Sequence, residues 1–439
     1  MAYILSVFAV RNLLVLSLAL NVSLILRVLL LHDSQDGSFN GFFFAEQKEE
    51  ALATKITRLS SSVLPSSSSL TMAQGDEDRV INLDHGDPTM YESYWQKKGD
   101  ETTVVIPGWQ FMSYFSDATR LCWFLEPEFA EQIVRLHNVV GNAVTENRHI
   151  VVGTGSTQLF QAALYALSPC AEAEPISVVS AAPYYSSYPL ITDCLKSRLY
   201  KWAGDARSFS KNGPYIELVT SPNNPDGFAR RSVVNGSEGI LIHDLAYYWP
   251  QYTPISSPAN YDLMLFTVSK STGHAGMRIG WALVKDEDVA RKMTKYIEIN
   301  TIGVSKDSQV RAAKVLKVIS DNSEGPNEGD SFFEFSYRVM AKRWKQLREA
   351  VQQSGLFSVS DFPPQLCMFL NRVFEPQPAF AWIKCEGDID NCESFLRGKK
   401  ILTRGGKHFG VSPKYVRISM LDRDKNYETF VRRLSTIRS

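Results

Sequence analysis

The chain has no CxxC pair, and no cysteine–histidine cluster has zinc-site spacing, although six cysteines occur in 439 residues: Cys122, Cys170, Cys194, Cys367, Cys385 and Cys392. Metal chemistry is therefore not expected. The chain has no excess charge of either sign, with 47 Lys and Arg against 47 Asp and Glu. Such a balance gives no electrostatic attraction to nucleic acid or another highly charged polymer. No internal repeat is visible, which argues against a repeat architecture. What remains is ordinary globular composition, 44% hydrophobic and 21% charged, in a chain long enough for one large core or two modest ones.

The beginning of the chain differs in kind. Residues 12–31 read NLLVLSLALNVSLILRVLLL. Twenty helical residues span roughly 30 Å, about one hydrocarbon core. Residues 1–32 are thus either a retained anchor or a cleaved signal. Against the signal stand an n-region with Arg11 as its one basic residue and no clear A-x-A site. Arg27 interrupts the run, but a long side chain near a helix end can snorkel to the interface. Residues 33–79 carry LSSSVLPSSSSL and the acidic run Gly75–Asp78. They could bury little, so a disordered tether is expected.

From Val80 onward strand-like runs alternate with helical ones. HIVVG (149–153), ISVVSAAP (176–183), YIELVTSP (215–222), GILIHD (239–244), LMLFTVSK (263–270) and GWALVKD (280–286) read as strands, and TQLFQAALYAL (157–167) as a helix. This alternation predicts an α/β fold with a mainly parallel sheet covered by helices. Residues 80–330 form this large domain, with 80–115 as an N-terminal arm. Residues 331–439 change texture. A charged helix (331–353), strands at 378–387 and 415–421 and a final helix (424–438) suggest a smaller α+β domain.

Polar residues gather where the strands end, and ligands gather at the carboxyl ends of parallel strands. Thr267-Val-Ser-Lys-Ser-Thr-Gly-His-Ala-Gly-Met-Arg278 leaves an apolar strand for a loop of small residues, where Lys270 can stand at a pocket edge. Ser269 and the planar fork of Arg278 can bind a phosphate there. Gly153-Thr-Gly-Ser-Thr157 joins strand to helix, where free N–H groups cradle a phosphate, although any tight turn uses glycine. Asp244-Leu-Ala-Tyr247 offers a carboxylate for a pyridinium nitrogen and a phenol for a ring hydroxyl; a helix N-cap is the plainer role for Asp244. Asn224, in Ser221–Gly227, can reach the same ring oxygen or sit in a plain turn. The tyrosines of Ala182–Tyr188 can stack on a ring or wall a core. Arg417, flanked by apolar residues, needs a partner: a substrate carboxylate or a structural salt bridge.

Their order and joint occurrence carry a resemblance. GDPTMYESYW, MSYF, TSPNNPDG, YYWPQYTPI and TVSKSTGHAGMRIGWAL resemble the fold-type I pyridoxal 5′-phosphate (PLP) enzymes, and within them the plant alliinase and tryptophan-aminotransferase-related family. The match spans 80–438. The resemblance implies a homodimeric PLP transferase with a seven-stranded-type sheet. It implies Lys270 as the cofactor-bonding lysine and general base, and Asp244 as the pyridinium partner. Asn224 and Tyr247 fall at the ring hydroxyl, and Tyr185 at the ring face. Ser156, Thr157, Ser269 and Arg278 fall at the phosphate, with Leu245, Ala246, Thr267 and Val268 lining the cofactor. Tyr114 would reach the phosphate of the neighbouring subunit, and Arg417 would clamp the substrate carboxylate.

The alliinases of this family carry a cysteine-rich module before the PLP domain, whereas this chain has no cysteine before Cys122. GDPT also resembles the tryptophan branch. Transfer of the amino group of L-tryptophan to a 2-oxo acid such as pyruvate is therefore expected, giving indole-3-pyruvate for auxin synthesis. Cysteine-sulfoxide C–S lysis is the rival, and an inactive tethered protein a third reading. The apolar segment resembles that of endoplasmic-reticulum members, with the side of the membrane open. Pairing of Cys385 with Cys392 and glycosylation of Asn235-Gly-Ser would both suit a lumenal domain; chance occurrence is the alternative.

Overall fold

The computed structural model describes residues 79–168, 174–324 and 331–438. The apolar segment 1–32 and the tether, except for its last residue, lie outside the described residues. Among the described residues no helix is long and apolar enough to cross a membrane.

Seven strands form the main sheet: β1 (His149–Gly153), β2 (Ile176–Ser180), β3 (Tyr200–Asp205), β4 (Tyr215–Thr220), β5 (Gly239–Asp244), β6 (Leu263–Thr267) and β7 (Gly280–Val284). Their order is β1-β7-β6-β5-β4-β2-β3. β6, β5, β4, β2 and β3 pair in parallel, while β7 runs antiparallel to β1 and β6. Every residue of β2, β4, β6 and β7 is buried. A parallel sheet covered on both faces demands such continuous apolar runs, which is why these strands stand out in the sequence. β3 does not. It is an edge strand whose Tyr200 alone is buried, so YKWAGD carries no apolar run.

Besides a short helix on the arm (Glu92–Lys97), the described residues form the helices α1 (Pro127–Val140), α2 (Gly155–Leu167), α3 (Tyr188–Asp193), α4 (Val268–Ser271), α5 (Glu287–Thr301), α6 (Lys306–Glu324), α7 (Phe332–Ser354), α8 (Cys392–Gly398) and α9 (Asp424–Thr436). α1 starts on Pro127, whose φ is set for a helix, and stops at Gly141 in the left-handed conformation (φ 69°). α1 packs on α6, and α2 on α5. Under β5–β7 lies a fully buried cluster of Trp249, Phe266, Trp281 and His137. Trp281 can only donate, and its Nε1 meets His137 Nε2 at 3.0 Å. His137 must therefore carry its proton on Nδ1, facing Asn142 Oδ1 at 2.8 Å. Burial lowers its pKa to about 4, so the ring is neutral.

The C-terminal part has its own antiparallel sheet of β8 (Phe357–Val359), β9 (Phe380–Cys385), β10 (Arg404–Gly405) and β11 (Tyr415–Ser419), in the order β10-β11-β9-β8. α7 opens with Ser331, whose hydroxyl accepts from the Glu334 N–H, and packs along α9. The N-terminal arm crosses to this part: Ile81–Asn82 pairs in parallel with Ile401–Leu402. That long-range pairing has no sequence signature, so dividing the chain at 330 separates residues that the fold joins.

Candidate active site

The carboxyl ends of β4, β5 and β6 open on a cavity of about 170 Å³. Its walls include Ser156, Thr157, Tyr185, Asn224, Asp244, Ala246, Tyr247, Thr267, Ser269, Lys270 and Arg278. Eleven positions read from the sequence thus converge, although they come from separate strand ends. Thr220 and Ala275, which the sequence did not single out, also line it. A wider, open depression of about 1000 Å³ lies along α1 instead, away from these groups.

Lys270 does not end β6 as the apolar run suggests. It sits in the single helical turn α4, started by Thr267, whose Oγ1 accepts from the Ser269 N–H at 3.2 Å. The turn lifts Lys270 off the sheet and aims Nζ at the carbonyl of Gly86, to which it donates. A Cβ at position 86 would lie 3.3 Å from Nζ and 2.9 Å from the Phe380 ring, so the arm approaches this closely because it carries glycine there. Burial lowers the Lys270 pKa to about 8, helped by the nearby Arg417 and Arg278 charges and opposed by Asp87.

At one end, burial pushes the Asp244 carboxyl up, while hydrogen bonds from Tyr188 and the Ala246 N–H oppose that shift. Tyr188 Oη donates to Asp244 Oδ2 at 2.8 Å and lies 2.6 Å from Thr220 Oγ1. The N-cap role for Asp244 does not hold: Oδ1 accepts from Ala246 two residues on, in a turn. Beside it Asn224 Nδ2 donates to Tyr247 Oη at 3.4 Å. Burial drives the Tyr247 phenol well above its ordinary range, so it stays a neutral donor. Tyr185 stands edge-on to Tyr188 with ring centroids 5.3 Å apart.

The opposite end suits an anion. Ser156 and Thr157 occupy the first turn of α2, where N–H groups lack helical partners. Gly155 precedes them at φ +75°, and a Cβ there would lie 2.5 Å from an Arg278 guanidinium nitrogen. Arg278, itself at φ 53°, is fixed by a 2.8 Å bond to Ala275 O. Gly280 lets β7 run close: a Cβ would meet Phe266 O at 2.7 Å and Ser156 N at 2.9 Å.

Arg417 is 3% exposed on β11. Nη1 donates to Asn224 Oδ1 at 3.1 Å, Nη2 donates to Asp84 O, and Nε has no acceptor. The guanidinium carbon lies 4.1 Å from the Phe380 ring centroid. Its nearest partners are thus neutral oxygens and not the carboxylate of a structural salt bridge. Burial, with Arg404 beside it, lowers its pKa to about 10. Asp84 accepts from Arg404 Nε at 2.5 Å, so the arm ties the two arginines together.

Four expected residues do not line the cavity: Arg417, which meets it through Asn224, and Leu245, Val268 and Tyr114. Leu245 and Val268 are core side chains, 2% and 0% exposed, that alternate with lining neighbours but do not line the cavity. Tyr114 is 67% exposed on the arm, outside the cavity of its own chain. Tyr188, Thr220, Ala275, Gly86 and Phe380 are the residues that sequence reasoning missed. A tyrosine wall was legible at 184–188, but nothing there marked which ring faces Asp244.

The donor set fits PLP. Asp244 would serve the pyridine nitrogen, Asn224 and Tyr247 would serve the ring hydroxyl, and the cradle of Gly155, the first turn of α2 and Arg278 would suit the phosphate. A lysine with a lowered pKa stands between them. The fold is that of the fold-type I PLP-dependent enzymes: it aligns with the aspartate aminotransferase of Rhizobium meliloti at a TM-score of 0.58 and 18% identity, covering 83% of this chain and 92% of that one. Residues 81–438 match the family model for allinase, and the chain belongs to the alliinase family. It is 62% identical over 427 residues to tryptophan aminotransferase-related protein 2 of Arabidopsis thaliana, covering 97% of this chain and 96% of that protein. It is 36% identical over 355 residues to an alliin lyase of Allium cepa var. aggregatum, 78% of each. PLP is the cofactor of this fold and family.

Proposed function

We propose that this chain is an aminotransferase that takes the amino group of L-tryptophan and passes it to a 2-oxo acid such as pyruvate, forming indole-3-pyruvate for auxin synthesis. The observation that carries the reaction class is Lys270 Nζ, poised with a pKa of about 8 in a cavity whose Asn224 also accepts from the buried Arg417. The donor is inferred from the 62% identity to a tryptophan aminotransferase-related protein.

Bound PLP supplies an electron sink that acidifies the α-C–H bond of an attached amino acid. The remaining work falls to this chain. Arg417 would orient the α-carboxylate, offering its unpaired Nε and exchanging the neutral Asn224 and Asp84 contacts of its fork for carboxylate oxygens. Lys270 Nζ, neutral in a substantial fraction near pH 8, accepts the Cα proton. Asp244 would hold the ring nitrogen of bound PLP in its protonated form, and a cation there would oppose the upward push of burial on its carboxyl. Ser269, Arg278 and the first turn of α2 fix the phosphate.

Delivery of that proton to the cofactor side, followed by hydrolysis, would release the keto acid, and the same steps in reverse with the 2-oxo acid would complete transfer; loss of a β-substituent gives a lyase instead. The 36% identity to alliin lyase keeps that second reading in view. Purified protein incubated with tryptophan and pyruvate, and separately with an alkyl cysteine sulfoxide, separates the two. Keto-acid exchange with tryptophan is expected. Pyruvate release from the sulfoxide without exchange overturns the transaminase reading.

The active unit is proposed to be a homodimer with Tyr114 acting across the interface, and residues 1–32 an anchor in the endoplasmic reticulum membrane. Trp109, Met112, Tyr114 and Phe115 are all more than half exposed on the arm, an apolar surface of the kind partners cover. Sedimentation of the holoenzyme as a monomer would remove the dimer.

A further inference from the structure

We propose that Asn235 carries an N-linked oligosaccharide, and that the folded part of the chain matures in an oxidising, lumenal compartment. Two independent features lead there. The first is the bond between Cys385, at the end of β9, and Cys392, at the start of α8, whose Cα atoms are 5.5 Å apart. Both are fully buried, whereas Cys122, Cys194 and Cys367 are free. Structural disulfides persist where the surroundings oxidise thiols and are rare where glutathione keeps them reduced.

The second is Asn235-Gly-Ser237, the one Asn-x-Ser/Thr triplet between residues 79 and 438. All three residues are exposed, in the loop that leads from β4 into β5. The loop's main chain is held from inside. Glu217 accepts from the N–H groups of Val233 and Val234, and Tyr215 Oη lies 3.3 Å from the carbonyls of both Val234 and Gly236. The backbone is thereby tied to β4 while the asparagine side chain stays in solvent. A Cβ at Gly236 would meet the Tyr215 ring at 2.9 Å, so the middle residue of the triplet must be small. Gly239 pairs with Tyr215 at the amino ends of β5 and β4, whereas Thr220 and Asp244 line the cavity at the carboxyl ends. A glycan on Asn235 therefore projects from the edge of the sheet opposite the cavity and leaves it open.

In the modification, Asn235 Nδ2 loses a proton and bonds to the anomeric carbon of a lipid-linked oligosaccharide, whose bond to the lipid diphosphate breaks. In the disulfide step, the thiols of Cys385 and Cys392 give two protons and two electrons to the disulfide of an oxidoreductase, which leaves as a dithiol. The inference concerns the compartment and holds for either enzymatic reading of the site.

The test uses the full chain expressed in eukaryotic cells. Digestion with an endoglycosidase should shift the wild-type band down by one glycan. Asn235→Gln and, as a second route, Ser237→Ala should migrate at the digested position without treatment, and both should keep wild-type keto-acid formation. Alkylation without reduction, read by peptide mass, should modify Cys194 and leave Cys385 and Cys392 linked. A wild-type band unmoved by the enzyme overturns the Asn235 assignment. Alkylated Cys385 and Cys392 overturn the oxidising compartment.

Discussion

The two sides of the cavity are built differently. The proposed cofactor side is assembled from strand ends of one sheet: α2 after β1, Asn224 after β4, Asp244 closing β5, and α4 after β6. Each group sits where a strand stops, so its position follows from the parallel topology. The proposed substrate side is assembled from distant chain. Arg417 comes from the middle of a different sheet and donates to Asp84, 333 residues away, while Gly86 on the same arm accepts from Lys270. Local strand–loop grammar thus produces a cofactor grip, whereas a substrate clamp requires two separate parts of the chain to meet. The two sides should accordingly fail in different ways.

Lys270 belongs to both, and Lys270→Ala should give the largest effect. Turnover should fall by about three orders of magnitude, on the scale of a lost general base. The cofactor absorbance of the purified protein should change with it. A spectrum identical to wild type would remove Lys270 from the cofactor.

Arg417→Leu should raise the KM for the amino donor roughly 10- to 100-fold, matching ~1.5–3 kcal/mol for charged hydrogen bonds, and leave the cofactor spectrum unchanged. Arg417→Lys keeps the charge but not the fork and should fall between. An effect confined to cofactor affinity would erase the distinction between the two sides.

Gly155→Ala tests the phosphate end. A non-glycine residue at φ +75° costs ~1–2 kcal/mol, and the added methyl meets Arg278. The PLP dissociation constant should rise about 10-fold with the KM for donor unaltered, as read by titration of the apoprotein.

The rate of PLP capture by the apoprotein should depend on pH through Lys270. Its folded pKa is about 8, below the usual 10.5, so the neutral amine is lost as pH falls through 8. Capture at pH 7 should run at roughly one-tenth of its plateau, reached above pH 9 and not above pH 11. Stopped-flow absorbance gives the midpoint. Tyr188→Phe should have the smallest effect, lowering kcat about 3- to 10-fold through one lost hydrogen bond to Asp244. A pH optimum shifted in step would identify the hydroxyl as a modulator of the carboxyl, not merely packing.

The cofactor side was legible because buried parallel strands leave apolar runs, and the polar residues that end them stand out by contrast. Lys270, Asp244, Asn224 and Arg278 were found that way. Leu245 and Val268 were not separable from their lining neighbours, because which side of a turn faces a cavity is set by packing. β3 escaped because an edge strand buries one residue in six. The arm escaped most fully: INLDHGD looks like a loop until residues 81–82 find 401–402.

By itself the sequence determined the chemistry on offer: a lysine, a carboxylate, a phenol and an anion cradle at successive strand ends, together with an apolar start and one exposed-type glycosylation triplet. Tertiary structure decided how those groups act. It lowered the Lys270 pKa through burial, chose Tyr188 to hold Asp244, and left Arg417 without a carboxylate partner. The reason is physical. Residue type and local periodicity are written along the chain, but desolvation and long-range hydrogen bonds exist only after distant segments have displaced water from between them.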